Sequence, residues 1–230
     1  MDTRPYKDSR MLGLVVCVLT GLIGLMTLCI AGLDLAIDRL IPGALAGSTP
    51  VDRIHALQVV RHAIRAALST VFMANVVMFL VWLHGAVSNH LALGAEGQEY
   101  TPGWSVGYFF VPVVNLVLPY LVMREVWTTS HRLADPSRPS HLWPVLAWWV
   151  LYLLSSIVLS VAAHVLGGHT HDLLHILHAQ RVEVAGFGLR LASMALFVRM
   201  IWTVTRLQHI RAHAPDAGTA LSPAPPELTA

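Results

Sequence analysis

Charged residues are scarce in this chain, and only 12% of its 230 residues are Asp, Glu, Lys or Arg. Soluble globular domains contain about 25% charged residues, so this chain has too few to coat a water-facing surface. Hydrophobic residues make up 55% of the sequence, and the mean hydropathy is +0.61. The formal net charge of +2 is too small to indicate nucleic-acid binding. The composition therefore excludes an ordinary soluble domain and predicts an integral membrane protein.

Cysteine is nearly absent as well. Cys17 and Cys29 are the only two, and both lie in the first apolar stretch. In a helix they would be about 18 Å apart, too far for a disulfide bond, so we expect both to be packing or lipid-facing residues. The sequence also lacks a nucleotide-binding loop, an internal repeat and any Ser/His/Asp arrangement of diagnostic spacing. We therefore expect no enzymatic activity.

Long apolar stretches predict transmembrane helices, because a bilayer core requires about 20 apolar residues in a helix. The four predicted spans cover residues 11–37, 60–86, 142–165 and 183–206. The first is longer than the apolar core of a cleaved signal peptide, about 7–15 residues, so we expect it to remain as an anchor. Residues 1–10 are predicted to be a cytoplasmic N-terminus and 11–213 the membrane domain. Residues 214–230, rich in Ala and Pro, are expected to be a disordered tail.

A fifth uncharged stretch, residues 105–123, is long enough to cross the bilayer but contains Pro112 and Pro119. Each proline removes a backbone donor and clashes with the preceding turn, so a helix here must kink or break. Broken backbone at membrane depth is tolerated only where it is buried in protein or lines a cavity. The fold class is therefore predicted to be an all-α bundle of four transmembrane helices plus a re-entrant or interfacial segment over 104–127. Five full spans are the alternative.

The distribution of basic residues favours the re-entrant arrangement through the positive-inside rule. With a cytoplasmic N-terminus and a re-entrant segment, eight basic residues face the cytoplasm and five face outward. If the segment crosses and the N-terminus stays inside, Arg124, Arg132 and Arg138 move outside and the bias reverses. A five-span chain with its N-terminus outside also satisfies the rule. We predict a multi-pass protein with both termini in the cytoplasm.

A distinctive motif surrounds the broken segment. It comprises Pro102, Gly103 and Trp104 at the start, Pro112, Asn115, Pro119 and Tyr120 in the middle, and Arg124, Glu125 and Trp127 at the end. Over residues 77–130 this pattern resembles a bacterial membrane family known as domain-of-unknown-function family 4328. The resemblance implies a small bundle of hydrophobic helices in the bacterial cytoplasmic membrane, and it assigns no activity.

The broken segment has two interpretations, a purely structural break or a break that coordinates a substrate or ion, as in transporters with discontinuous helices. In helical geometry Pro112, Asn115 and Pro119 would share a face. Asn115 could then cap backbone groups freed by the prolines, or bond Asn75 in the second span. The motif residues Trp104 and Trp127 are of the interfacial type, as expected if both ends of the segment return to one membrane surface.

Arg190 lies inside the fourth predicted span, about 10 Å along the helix from Glu183. An arginine at this depth requires a partner, a water-filled cavity or a long reach to the interface. The sequence therefore offers two hypotheses. Arg190 belongs to an ion or substrate site, or it snorkels or pairs with Glu183, Asp34 or Asp172.

Histidine is abundant, with 13 residues in the chain. His171, His175 and His178 follow i, i+4 and i+7 spacing, so one helical face would present three imidazoles. Imidazole binds zinc, copper or haem iron well, but this spacing matches no specific metal signature. A metal or haem site and a solvated, pH-responsive loop remain alternative hypotheses, and no cofactor is assigned.

Three functional classes are compatible with these features. The first is a non-enzymatic membrane-embedded binding, regulatory or scaffold component, favoured by the short loops and the lack of catalytic residues. The second is a subunit of a transporter or channel for ions or small solutes, suggested by Asn75, Asn115 and Arg190, in which four spans would need to oligomerise. The third is a His-ligated metal or haem protein. The expected partners are the bilayer and other copies of the chain or other membrane proteins, and not nucleic acid.

Overall fold

The computed structural model describes residues 5–48, 50–137, 139–167 and 173–214. Most of these residues are helical, because the long apolar runs lie in lipid, where no water can bind the backbone. A helix satisfies its own backbone hydrogen bonds there. The helices are α1 (Arg10–Leu45), α2 (Val51–Ala92), α3 (Pro102–Gly107), α4 (Leu118–Ala134), α5 (Trp143–Gly167) and α6 (Leu173–Ala212). The described part of the chain contains no β-strand.

Four of these helices are long and apolar enough to cross a bilayer. The qualifying stretches are Arg10–Ala44, Asp52–Ala92, Trp143–His164 and Arg181–Ala212. The prediction of a four-helix multi-pass membrane protein with a broken segment is therefore confirmed. The helices run beyond the predicted spans: α1 continues past Pro42, which it contains, and α2 begins at Val51. The connection between α1 and α2 is therefore only a few residues long.

The four long helices form an open arc in which α1 packs against α2 and α6, and α6 packs against α5. Their spatial order is therefore α2, α1, α6, α5. The two helices at the ends of the arc are α2 and α5. Helix α4 contacts both of them and packs most extensively against α6, whereas α3 contacts α2. The broken segment thus occupies the gap that the arc leaves.

One end of the bundle, called here the terminal end, gathers several chain segments. Asn89 near the end of α2 accepts a hydrogen bond from the backbone N–H of Lys7 (3.0 Å) and donates one to Gln208 near the end of α6 (3.3 Å). Gln208 in turn donates to the hydroxyl of Ser130 near the end of α4 (3.3 Å). The N-terminal segment and the ends of α2, α4 and α6 therefore lie on the same side.

The broken segment is a re-entrant hairpin, here residues 102–134, that starts and finishes at the terminal end. Its first arm follows α2 after the non-helical residues 93–101, and its second arm, α4, returns to Ser130. At the tip, the ring of Phe109 packs edge-on against Phe79 with centroids 5.6 Å apart. Phe79 precedes Asn89 by about 15 Å along α2, which is about half the thickness of a bilayer core. The hairpin therefore reaches about that far from the terminal end along the bundle and turns back.

The tip backbone is irregular, as its prolines predict. Two short 3-10 turns, Tyr108–Phe110 and Val114–Leu116, flank Val113, whose φ of 66° and ψ of −51° form a γ-turn that is strained for a β-branched residue. Turn hydrogen bonds satisfy backbone groups here, including Asn115 N–H to the Val111 carbonyl at 2.9 Å. Because this stretch is not α-helical, the predicted common helical face of Pro112, Asn115 and Pro119 is wrong.

The second arm, α4, is buried rather than lying on the membrane surface. Val122 and Met123 are fully buried, and Trp127 is only 4% exposed. The indole N–H of Trp127 donates to the carbonyl of His141 at 3.0 Å, just before α5. The interfacial role predicted for Trp127 is therefore wrong, whereas Trp104, 60% exposed at the hairpin entrance, agrees with it.

Helices α5 and α6 approach closely at Gly186. A Cβ atom added there would lie 2.8 Å from Leu159 Cδ2 and 3.1 Å from Val158 Cγ1. Small residues allow membrane helices to pack backbone to backbone, where dispersion contacts replace the hydrophobic effect. Gly186 therefore sets the spacing of the α5–α6 pair.

Replacing Gly186 with leucine is expected to lower the free energy of unfolding by about 1–3 kcal/mol through overpacking. Gly188, one half-turn away in the same helix, is a matched control because nothing lies within 4 Å of a Cβ added there. Both substitutions gain the same helix propensity. Denaturation of the two variants in detergent, followed by circular dichroism, measures the difference. Equal stabilities of G186L and G188L would contradict the close contact.

Candidate functional site

A cavity of about 260 Å³ lies between the hairpin tip and the long helices. Its wall is mostly apolar and rich in aromatic rings, including Phe72, Phe79, Phe109, Phe110, Trp148 and Trp149. Polar side chains come from all four long helices and from the tip, and they are Thr20, Asn75, Asn115, Tyr152, Arg190 and Ser193. An apolar pocket with a few convergent polar groups is the usual form of a small-molecule site.

Asn75 on α2 presents an unpaired acceptor at this cavity. The side chain is 8% exposed, and its Nδ2 donates to Thr20 Oγ1 at 3.2 Å. The Thr20 hydroxyl donates to the Val16 carbonyl at 2.8 Å, so it can only accept from Asn75, which fixes the orientation of the carboxamide. The Asn75 Oδ1 is buried and has no hydrogen-bond partner among the described residues. A buried carboxamide oxygen without a partner is unfavourable by about 1–3 kcal/mol, which a ligand donor would offset.

Arg190 on α6 supplies a cation to the same cavity. Its Nη2 donates to Ser156 Oγ at 3.1 Å, and its Cζ lies 4.9 Å from the centroid of the Tyr152 ring. Both neighbours come from α5, and neither carries a negative charge. The Arg190 Nε is buried without a hydrogen-bond partner among the described residues. The guanidinium is therefore positioned by a hydroxyl and a ring and keeps donors available.

The carboxylates expected to neutralise Arg190 bind other arginines at the opposite end of the bundle, called here the distal end. Asp34, 1% exposed on α1, accepts from Arg61 at 2.8 Å and lies 3.7 Å from Arg65. Glu183 on α6 pairs with Arg65 at 2.6 Å. The hypothesis that Arg190 pairs with Glu183 or Asp34 is therefore wrong. Its third candidate partner, Asp172, lies outside the described residues.

Most motif residues shape the hairpin rather than the cavity. Thr101 Oγ1 accepts from the N–H of Trp104 (3.4 Å), which caps α3 with Pro102 and Gly103 in its first turn. Pro119 similarly occupies the first turn of α4, where an absent N–H needs no partner. Tyr120 packs against the hydrophobic core. The first half of the motif is therefore explained by helix starts.

Glu125, next to Arg124 in sequence, links the second arm of the hairpin to the residues just before its first arm, at the terminal end. Its carboxylate accepts from the backbone N–H of Glu99 at 3.2 Å. Burial raises the pKa of Glu125 above its ordinary value, and the N–H groups of Glu99 and Tyr100 act in the opposite direction. Among the motif residues, Asn115 is the one that reaches the cavity.

The cavity brings together the three polar residues singled out from the sequence for a functional break, Asn75, Asn115 and Arg190. The further hypothesis of an Asn75–Asn115 bond is wrong, because Asn75 bonds Thr20. Sequence reasoning missed Thr20, Tyr152, Ser156 and Ser193. A signal existed for two of them, because Tyr152 and Ser156 lie one turn apart on α5 and therefore share a face.

The histidine hypothesis falls largely beyond what the structure describes. His171 lies outside the described residues, and His175 and His178 are described only as backbone within α6. Over the described residues, no group of three or more His, Cys, Asp or Glu side chains is placed to hold a metal ion. Metal or haem binding by these histidines stays a prediction.

No curated protein and no solved structure matches this chain. Residues 50–206 match the family described as Domain of unknown function (DUF4328). The match covers α2, the whole hairpin, α5 and most of α6, and thus the cavity residues outside α1. The resemblance seen in the hairpin motif is confirmed over more than half of the sequence, and the chain belongs to the DUF4328 family.

Proposed function

We propose that this protein is a non-enzymatic, membrane-embedded binding protein whose cavity holds a small molecule with an apolar body and an anionic group. Arg190 is the observation that carries the proposal. It is a half-buried cation at membrane depth, and no described carboxylate pairs with it. Ionisable residues within the membrane are energetically costly and are by default functional.

The other groups of the cavity fit such a ligand. A carboxylate or similar anion would take the free donors of Arg190 in charge-assisted hydrogen bonds, which are about twice as strong as neutral ones. Asn75 Oδ1 offers an acceptor to a hydroxyl or amide of the same molecule. The aromatic wall supplies contact area for an apolar body, with rings that pack edge-on, as in Phe79–Phe109, or stacked, as in Trp149–Tyr152.

The proposal is tested with three probes that share a naphthalene ring and carry an anionic, a neutral or a cationic polar group: 2-naphthoate, 2-naphthylmethanol and 2-naphthylmethylammonium. Calorimetric titration of the protein in nanodiscs should show the anion binding at least tenfold more tightly than the other two. Tenfold corresponds to about 1.4 kcal/mol, less than a charge-assisted hydrogen bond provides. Arg190→Gln should abolish this preference. Arg206→Gln, an exposed position on the same helix, is the matched control and should preserve it.

Absence of any charge preference in the wild-type protein would overturn the proposal, as would an equal preference in R190Q. Asn75→Leu provides a second variant that leaves the cation in place. It should weaken binding of a hydroxyl-bearing probe, 3-hydroxy-2-naphthoate, more than binding of 2-naphthoate. Circular dichroism and gel filtration of each variant check that the fold is retained.

Transport is a second candidate function, favoured by the non-helical backbone that lines the cavity at mid-depth. Transporters place substrate sites at such interruptions. A transporter should carry 2-naphthoate into liposomes with saturable kinetics, and R190Q should abolish the flux. Binding of 2-naphthoate without flux would support the binding function and contradict the transport function.

We propose further that the protein resides in the bacterial cytoplasmic membrane with its terminal end in the cytoplasm. The positive-inside rule supports this, since Lys7, Arg10, Arg206 and Arg211 belong to chain segments at that end. In a cysteine-free background, single cysteines at Ser137 and Ser48 should label from opposite sides of the membrane. Ser137 follows α4, whereas Ser48 lies in the distal turn between α1 and α2. Labelling of both from one side would contradict this arrangement.

A further inference from the structure

We infer that the ligand enters the cavity sideways from the bilayer and is a single-chain amphiphile with an anionic head, of the long-chain carboxylate class. This inference rests on the proposed function and names its ligand. The anionic head would bind Arg190, and the chain would leave through an opening between α2 and α5.

The opening exists because the hairpin closes only part of the gap between those two helices. On the α5 side, the indole N–H of Trp149 donates to the carbonyl of Leu116 at the hairpin tip (3.0 Å). Ser156, which binds Arg190, lies about 10 Å further along α5 toward the distal end. On the α2 side, the tip meets Phe79, and Phe72 lies about 10 Å beyond it. Arg190 and Phe72 therefore lie beyond the tip, where the hairpin no longer separates α2 from α5.

The cavity residues at this opening are exposed although they lie at membrane depth. Phe110 is 70% exposed and Phe72 is 38% exposed, whereas Phe79, further inside, is 7% exposed. Aromatic side chains exposed at this depth face acyl chains rather than water. A molecule that arrives through this opening must therefore be soluble in lipid.

The charge and the volume of the cavity determine which head group and how many acyl chains a ligand can have. Arg190 offers donors to an anion, whereas the opening is lined by aromatic carbon. A volume of about 260 Å³ is at or below the lower limit of pockets for drug-sized molecules, so it fits one head and part of one chain but not a two-chain lipid. The charge and the size together point to a single-chain anionic amphiphile.

The test uses hexadecanoate carrying a photoreactive diazirine at a carbon in the first half of its chain, incorporated into nanodiscs with the full-length protein. Illumination and peptide mass spectrometry should locate the label beside the opening, on peptides containing Phe72 or Phe110. The same probe with an alcohol head, diazirine-hexadecanol, should label at least tenfold less. R190Q should reduce labelling by hexadecanoate at least tenfold, and R206Q should leave it unchanged.

The outcomes separate this inference from the proposed function. If 2-naphthoate binds through Arg190 but hexadecanoate labels nothing, lateral entry is overturned and the anion site stands. If neither 2-naphthoate nor hexadecanoate binds, both the lateral entry and the anion site are contradicted. Equal labelling by acid and alcohol would reveal only annular lipid contact and would overturn the inference. A dimer in native mass spectrometry whose copies cross-link through cysteines at Phe110 would show that a second subunit covers the opening, and would also overturn it.

Discussion

Replacing Trp82 with alanine is expected to lower the free energy of unfolding by about 3–5 kcal/mol, the range for large aromatic deletions in a core. The side chain is fully buried, its ring stacks on Phe79 at a centroid distance of 6.1 Å, and its N–H donates to Thr205 Oγ1 at 3.0 Å. Thr205 is itself close to Gly13, where an added Cβ would lie 2.8 Å from the hydroxyl. One side chain therefore connects α2, α6 and α1.

In lipid this loss comes from packing rather than from the hydrophobic effect, because an unfolded helix in the bilayer also keeps its side chains away from water. Trp82→Phe keeps a ring but removes the hydrogen bond, and should cost about 1 kcal/mol plus a small cavity term. Trp202→Ala is the matched control, because it deletes the same ring from a position that is 57% exposed. Denaturation in detergent micelles measures the free energy of unfolding of the three variants and ranks them. A cost for W82A no greater than that for W202A would show that the core is not closely packed here.

Replacing Asp34 with asparagine should cost about 2–4 kcal/mol, somewhat less than the 3–5 kcal/mol typical of a broken buried ion pair. Asp34 is 1% exposed and faces two arginines of α2, Arg61 at 19% and Arg65 at 41% exposure. The partial exposure of the arginines limits the cost, since water and lipid headgroups can stabilise their charges in the variant. Arg65 also retains Glu183.

The change in stability should be partly reversed in the double variant Asp34→Asn/Arg61→Gln, because the uncompensated charge is then removed. Asp8→Asn is the control, since the Asp8–Arg10 pair is exposed on both sides and such pairs contribute about 0–1 kcal/mol. Additive effects of D34N and R61Q in the double-mutant cycle would mean that the two side chains do not interact.

The spans and the break were predictable because each depends on local chemistry. An uncharged run of 20 residues has few alternatives to a transmembrane helix, and prolines at 112 and 119 interrupt a helix wherever it lies. The depth of the hairpin was not predictable, because it depends on contacts such as Phe109 with Phe79, which no spacing reveals. The burial of Trp127 was missed for the same reason: interfacial and core tryptophans are alike in sequence, and only the packing of α4 against α6 distinguishes them.

The candidate site was predicted in part. Asn75, Asn115 and Arg190 stand out because polar residues are rare in apolar spans, and the fold brings all three to one cavity. The partner of Arg190 was mispredicted because Glu183 lies on the same helix and therefore looks like the nearest carboxylate in sequence. In the fold, α2 brings Arg65 to that carboxylate instead. Tyr152 and Ser156 share a face of α5, but nothing in the sequence relates that face to Arg190. Their role follows only from the pairing of α5 with α6.

The half-depth hairpin also gives the molecule a different cross-section in each monolayer. Among the described residues, six helical segments lie in the half of the bundle at the terminal end, whereas the four long helices alone make up the other half. A protein of this wedge-like outline fits best where the leaflet at its terminal end is stretched and its counterpart is compressed. Membrane curvature would therefore influence where the molecule accumulates, quite apart from whatever occupies its cavity.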